Sequence, residues 1–151
     1  MKKSPIQTGK SNPNLRRVSK QATPGQARKV VKLLQNAIDK KKAVGLAAPQ
    51  IGENVRVILV RIGKSFLPMV NPEILERSKE SSVMQEGCIS LPGLWGDVER
   101  ANQVLVQFLD ENGLSQKMLL KKLDARVVQH EVDHLNGILF VDKVLSPIEV
   151  E

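Results

Sequence analysis

The stretch Gln129-His130-Glu131-Val132-Asp133-His134-Leu135 decides how this chain is read. It holds the only two histidines in the sequence, four positions apart, with a glutamate directly after the first. On an α-helix, residues i and i+4 share a face, so both imidazoles can reach one metal ion. Glu131 then points near that ion without needing to bind it, which suits a general base acting on a metal-bound water. The competing reading is a surface helix that carries two histidines and no metal. The spacing alone does not separate the two, because so short a pattern recurs by chance.

Composition narrows the setting. The chain has 151 residues, which fits a single domain over 1–151 with a substantial buried core. Hydrophobic residues make up 41% and aromatics 3%, so a folded globule with an aliphatic core is expected. The net charge of +7 raises a nucleic-acid surface as a reading. No basic tract is interleaved with stacking aromatics, so a solvated basic surface is expected and specific nucleic-acid binding is not. One cysteine allows no internal disulfide and favours a reducing compartment. No apolar run approaches a membrane span, and Met1-Lys2-Lys3 leads into polar residues rather than a signal core. A cytoplasmic, membrane-free protein is expected, with an organelle or phage-encoded origin left open.

Along the chain, residues 1–22 read as an extended arm over the surface, with a turn at Asn12-Pro13-Asn14. Thr23-Pro24 opens a helix with threonine as N-cap and proline at the first position. Ala27, Val30, Val31, Leu34, Ala37 and Ile38 recur at helical spacing, and Lys40-Lys41-Lys42 closes the helix at the negative end of its dipole. Ala43 to Gly52 is rich in small residues, which implies close backbone approach. Strands are expected over Val55–Ile62, Leu67–Val70 ending at Asn71-Pro72, Glu73–Lys79, and Val83–Leu91 broken by Pro92-Gly93. Val104–Leu109 and Leu114–Leu120 flank Asp110-Glu111-Asn112-Gly113, a hairpin signal. The histidine helix begins near Lys122, with Leu123, Val127, Val128 and Leu135 apolar, and a short tail runs from Val141. The result is one α+β domain: mostly antiparallel sheet around a central HExxH helix, with an amino-terminal helix and a short carboxyl-terminal tail.

Two histidines do not complete a catalytic metal site, which normally takes three protein ligands and leaves one position open. There is no third histidine, and Phe140 stands where a metzincin would place its last one. The remaining candidates are a carboxylate or Cys88, the only thiol. A lone cysteine is more often a small buried hydrophobe.

Gly45-Leu-Ala-Ala-Pro-Gln50, Glu86-Gly-Cys-Ile-Ser90 and Gln129-His-Glu-Val-Asp-His134 resemble, in order and separation, the three signature motifs of peptide deformylases. The resemblance covers nearly the whole chain, including Asn12-Pro-Asn-Leu-Arg-Arg17 and Asn71-Pro72. It implies a hydrolase that removes the formyl group from the amino-terminal formylmethionine of new polypeptides. It makes Cys88, His130 and His134 ligands of one divalent ion, ferrous iron first, with zinc, nickel or cobalt able to occupy the site. It makes Glu131 the general base and acid, and Gln50 with the backbone N–H of Ile89 the oxyanion donors. Val44, Gly45 and Gly87 would cradle the peptide backbone, and Leu123 and Val127 would line the methionine pocket. The implied partners are formylmethionyl nascent peptides and, transiently, the ribosome surface. The further helix of many bacterial members is missing from the 17 residues after His134, so docking through that helix is not expected. Ala43 stands where the family often has the first glycine of its loop motif.

These residue types suit the reaction. A metal acidifies bound water and polarises a carbonyl. A thiolate ligand cancels one unit of the ion's charge, so the bound water is less acidified and Glu131 matters more as base. Gln50's amide and one main-chain N–H are fitting donors for the negative oxygen of a tetrahedral intermediate. Ala47 and Ala48 either hold the loop close to the metal or are packing residues. By resemblance, Glu86 pairs with Arg100 to brace the cysteine strand. Asp133 either orients His134 or is a solvated helix residue. Trp95 flanks the substrate mouth or covers the core. Two rival readings are a peptidase of broad specificity and a binding module with a structural metal.

Overall fold

A computed structural model describes residues 3–146 and 148–150. Residues 1, 2, 147 and 151 lie outside the described residues, so the arm is followed from Lys3. The elements run α1 (Pro13–Arg16), α2 (Pro24–Ala37), β1 (Gly45–Ala47), a 3-10 turn (Ala48–Ile51), β2 (Val57–Ile62), β3 (Ser65–Arg77), β4 (Ser81–Glu86), β5 (Leu94–Ala101), β6 (Gln103–Leu109), β7 (Ser115–Lys121), α3 (Lys122–Leu135), a second 3-10 turn (Phe140–Asp142) and β8 (Glu149–Val150). Among the described residues all strand pairs are antiparallel, in sheets of order β1-β2-β3-β6-β7 and β4-β5-β8.

β2 explains how one sheet takes a helix on each face. Successive strand side chains point to opposite sides. Val57 and Leu59 join Val30, Val31 and Leu34 of α2, whereas Ile58 and Val60 join Ala125, Val128, Val132 and Leu135 of α3. All four β2 residues are buried. The two large aliphatic clusters therefore lie on opposite faces of the sheet, and α3 is pinned between this sheet and the second one. A third cluster of Leu15, Leu91, Val98, Leu139 and Phe140 packs against Cys88.

Several boundaries differ from the expectation. α2 begins as expected: Thr23 accepts from the Gln26 N–H while the Gln26 side chain accepts from the Thr23 N–H. It ends at Ala37, before the lysines. Ile38 turns extended to stay buried, and Asp39 starts a turn by accepting the Lys41 N–H. Leu67–Val70 and Glu73–Lys79 are not separate strands. β3 runs through both, because Asn71 takes a left-handed φ of 49° and bends the strand rather than ending it. β4 stops at Glu86, and Gly87–Ser90 forms a turn. β5 shows no apolar alternation in sequence because its inward positions are Gly96, Val98 and Arg100; a buried arginine hides the pattern. The expected β6–β7 hairpin and α3 are present.

The amino-terminal arm is not simply laid over the surface. Leu15 is fully buried, and the arm's backbone bonds to three separate segments of the body.

Candidate active site

Three segments meet at the cavity. The 3-10 turn after β1 carries Gln50, the turn after β4 carries Cys88, and the middle of α3 carries His130, Glu131 and His134. Cys88, His130 and His134 each offer a ligand atom, and those atoms all lie within 4.8 Å of one another. Cys88 Sγ stands 3.4 Å from His134 Nε2. His130 Nδ1 is 2.9 Å from Glu86 Oε1, which leaves its Nε2 for the centre. One soft sulfur and two imidazole nitrogens form a set that suits a divalent transition metal.

The electrostatics agree with that use. Burial lowers the His134 pKa well below its usual value, so it is a neutral donor. Burial also opposes the charge of His130, but hydrogen bonding to Cys88 and Glu86 outweighs it and raises this pKa to about 10 without metal. An ion entering the site must displace that proton. Glu86 stays ionised: burial pushes its pKa up, but His130 and Arg100 bring it well below the carboxylate range.

Glu86 is the brace behind the candidate metal centre. It accepts from Arg100 at 2.6 and 2.9 Å and from Arg126 at 2.5 Å, while holding His130. Orientation of a ligand histidine by a carboxylate raises ligand basicity and fixes the ring. The expected Glu86–Arg100 pair is thus present, and Arg126 and the His130 bond join it. Asp133 meets neither of its two readings. It is buried and faces Arg100 at 2.9 Å and Lys143 at 3.0 Å, not His134. The reason is helical phase, since the side chain next in sequence points about 100° away.

Glu131 is 4% exposed and its Oε1 has no hydrogen-bond partner. Burial raises its pKa to about 7. Gly45 makes room for it: a Cβ there would lie 2.7 Å from Glu131 Oε2. Gln50 is fixed at both ends of its amide. Its Oε1 accepts from the Ala47 N–H at 2.9 Å, and its Nε2 donates to Ser90 Oγ at 3.1 Å and faces Cys88 Sγ at 3.5 Å. Ser90, fully buried, was not singled out from sequence, although it closes the motif Glu86–Ser90.

The cavity is about 540 Å³ and is lined by Val44, Gly45, Gln50, Gly87, Cys88, Ile89, Leu123, Val127, His130 and Glu131, among others. Every residue singled out for the site borders it except His134, which stands behind the others and is 1% exposed. Trp95 also lines it, which favours the mouth over the core; a Cβ on Gly87 would sit 2.5 Å from its ring. Two free strand edges flank the opening, since β1 and β4 each end a sheet. Ala47 and Ala48 are fully buried packing residues. No helix among the described residues is long and apolar enough to cross a membrane.

A buried glutamate beside a cysteine–histidine–histidine cluster, in an antiparallel α+β frame, fits a metal-dependent hydrolase. The sequence matches the family described as polypeptide deformylase over residues 5–149. It is 48% identical over 120 residues to the peptide deformylase of Syntrophomonas wolfei, covering 78% of each chain. Among solved structures it resembles a peptide deformylase from Synechococcus elongatus in complex with actinonin (TM-score 0.88, 36% identity, 97% of this chain and 82% of that one). It also resembles a class I type b peptide deformylase from Acinetobacter baumannii bound to Met-Ala-Ser (TM-score 0.87, 33% identity, 95% and 100%). The chain belongs to the polypeptide deformylase family, and it is an enzyme of that family.

Proposed function

We propose that this protein hydrolyses the N-formyl group from the amino-terminal formylmethionine of newly made polypeptides in the cytoplasm, releasing formate. The observation that carries this reading is the convergence of Cys88, His130 and His134 within 4.8 Å, at a cavity that also holds a buried, unpartnered carboxylate. These three residues hold one divalent ion, ferrous iron first, with zinc, nickel or cobalt as alternatives. When bound, the ion supplies Lewis acidity that activates water and polarises the formyl carbonyl.

The chain's own groups do the rest. Glu131 takes the proton from the attacking water and passes it to the leaving amine; its raised pKa suits both directions of transfer. The Gln50 amide, held by Ala47 and Ser90, and the backbone N–H of Ile89 donate to the oxygen that gains charge. The C–N bond of the formamide breaks, formate leaves, and the peptide keeps its free amine. Val44 and Gly45 on one free edge and Gly87 beside the other pair with an extended peptide backbone, as strand addition does elsewhere. Leu123 and Val127 form the apolar wall for methionine. The relative that holds Met-Ala-Ser supports a methionine-headed peptide as occupant. Nascent chains are the substrate, and the ribosome surface is a transient partner.

The test is formate release from a short formyl-methionyl peptide by protein loaded without oxygen with ferrous iron, nickel or zinc. Metal-dependent release is expected, abolished in Cys88→Ser. Glu131→Gln is expected to retain metal but lose about 100- to 10,000-fold in turnover. Metal-loaded protein with no release, or a fully active Glu131→Gln, overturns the assignment.

A further inference from the structure

The amino-terminal arm bonds to all three segments that build the site. The Gln7 N–H donates to the Gln50 carbonyl at 2.7 Å, and the Gly9 N–H donates to the Ser90 carbonyl at 2.9 Å. Gln50 Nε2 in turn donates to Ser90 Oγ at 3.1 Å. These contacts close a ring: arm, Gln50 turn, Ser90, and back to the arm. Further on, the Ser19 N–H donates to the Leu135 carbonyl at 2.8 Å, one residue past His134.

The arm is itself anchored. Gln7 Oε1 accepts from Asn12 at 3.2 Å and Asn14 at 3.0 Å, so the start of α1 holds it. Ile6 packs against the cluster that contains Ala48 and Ile51, and Leu15 is fully buried. Within the ring, Gln50 and Cys88 sit on turns from two different sheets, and no strand pair joins β1 to β4 among the described residues. The arm crosses that gap.

We propose that Gln7–Gly9 is a positioning strap that sets the Gln50 amide relative to the Cys88 sulfur, acting through the Gln50 and Ser90 backbones. It touches no substrate. The proposal rests on the hydrolase reading above, but its spectroscopic test does not. A shift of about 1 Å in a reacting group is enough to cost roughly 100-fold in rate.

The test is Gln7→Pro, which removes the N–H, beside Gln7→Ala, which keeps it. Val31→Ala, in the α2 core, serves as a destabilised control. Turnover and KM are measured with a formyl-methionyl peptide, and the thiolate-to-metal absorption of cobalt-loaded protein is recorded well below each Tm. Expected for Gln7→Pro is a 10- to 100-fold lower kcat, roughly, with KM changed far less, and a shifted cobalt spectrum. Gln7→Ala recovers most of the rate and the spectrum, and Val31→Ala lowers Tm alone. Should Gln7→Pro not fold, Gly9→Ala, strained at a φ of 103°, shifts the Gly9 N–H away from the Ser90 carbonyl and shows the same changes in smaller measure. A wild-type spectrum and kcat in Gln7→Pro, or in Gly9→Ala where the first does not fold, overturns the strap. A changed spectrum in Val31→Ala also overturns it. Absence of formate from the wild type overturns the hydrolase reading instead, while the spectrum still tests the strap.

Discussion

At the scale of single residues, the site depends on a missing methyl group. Gly45 is glycine because a Cβ would press on the carboxyl end of Glu131, at 2.7 Å from Oε2 and 3.0 Å from Cδ and Cγ. Gly45→Ala is therefore expected to keep its metal and its fold while losing about 100-fold in kcat, since the base must swing aside. Metal analysis beside steady-state kinetics checks this; unchanged kcat would mean that Glu131 has room to spare. Much of this scale was legible in sequence. His130, Glu131 and His134 stand out by residue type and spacing, whereas the roles of Cys88 and Gln50 are implied by the resemblance to peptide deformylases. The role of Asp133 was not legible, because its partners Arg100 and Lys143 come from distant segments.

At the scale of elements, the bend in β3 carries a stability cost that its side chain offsets. Asn71 sits at φ 49°, accepts from the Ala22 N–H at 2.8 Å and donates to the Ala22 carbonyl at 3.2 Å. Alanine would lose both bonds and keep the unfavourable φ, so Asn71→Ala should cost about 2–3 kcal/mol. Asn71→Gly should cost less, because it relieves the backbone. Urea unfolding of both variants decides it; an equal loss in the two would remove backbone strain from the account. Asn71-Pro72 reads in sequence as a strand end. A strand that bends without ending needs partners on both sides of the bend, and β2 and β6 are visible only in the fold.

At the scale of the whole molecule, a metal ion held as proposed would join Cys88, beside the second sheet, to α3, which packs on the first. Such binding stabilises only the folded state. At a free concentration 100 times Kd it is worth about 2.7 kcal/mol, or a rise in Tm of roughly 5–10 °C for a chain of this size. Thermal melts with and without chelator are expected to differ by that amount in the wild type and by far less in Cys88→Ser. Equal chelator effects in the two would take Cys88 out of the ligand set. A second global tie is acid-sensitive. Asp142 bonds Arg16 at 2.5 Å and accepts the Leu139 N–H at 3.0 Å. Its pKa is lowered, first by the Arg16 hydrogen bond. A lowered folded pKa means its contribution is complete above the unfolded value of about 3.9 and fades as pH falls below it. The pair is partly exposed, so about 0.2–1 kcal/mol is at stake. Melts of Asp142→Asn against the wild type should differ at pH 7 and converge as pH falls below the usual carboxylate range; a constant difference would exclude the carboxylate charge.

The sequence by itself determined the family of this protein and the residue types at its candidate site. Two histidines at helical spacing, a glutamate between them, a single thiol and a glutamine after a small-residue loop are local facts of residue type and order, and so are the α2 cap and the β6–β7 hairpin. Only the tertiary structure decided what holds those groups at working distance. The Glu86–Arg100–Arg126–His130 brace, the Ser90 clasp on Gln50 and the arm across both turns join residues far apart in the chain. Periodicity reports which face of an element is apolar. It carries no information on which distant backbone carbonyl a given N–H will meet, and that pairing is what fixes the site.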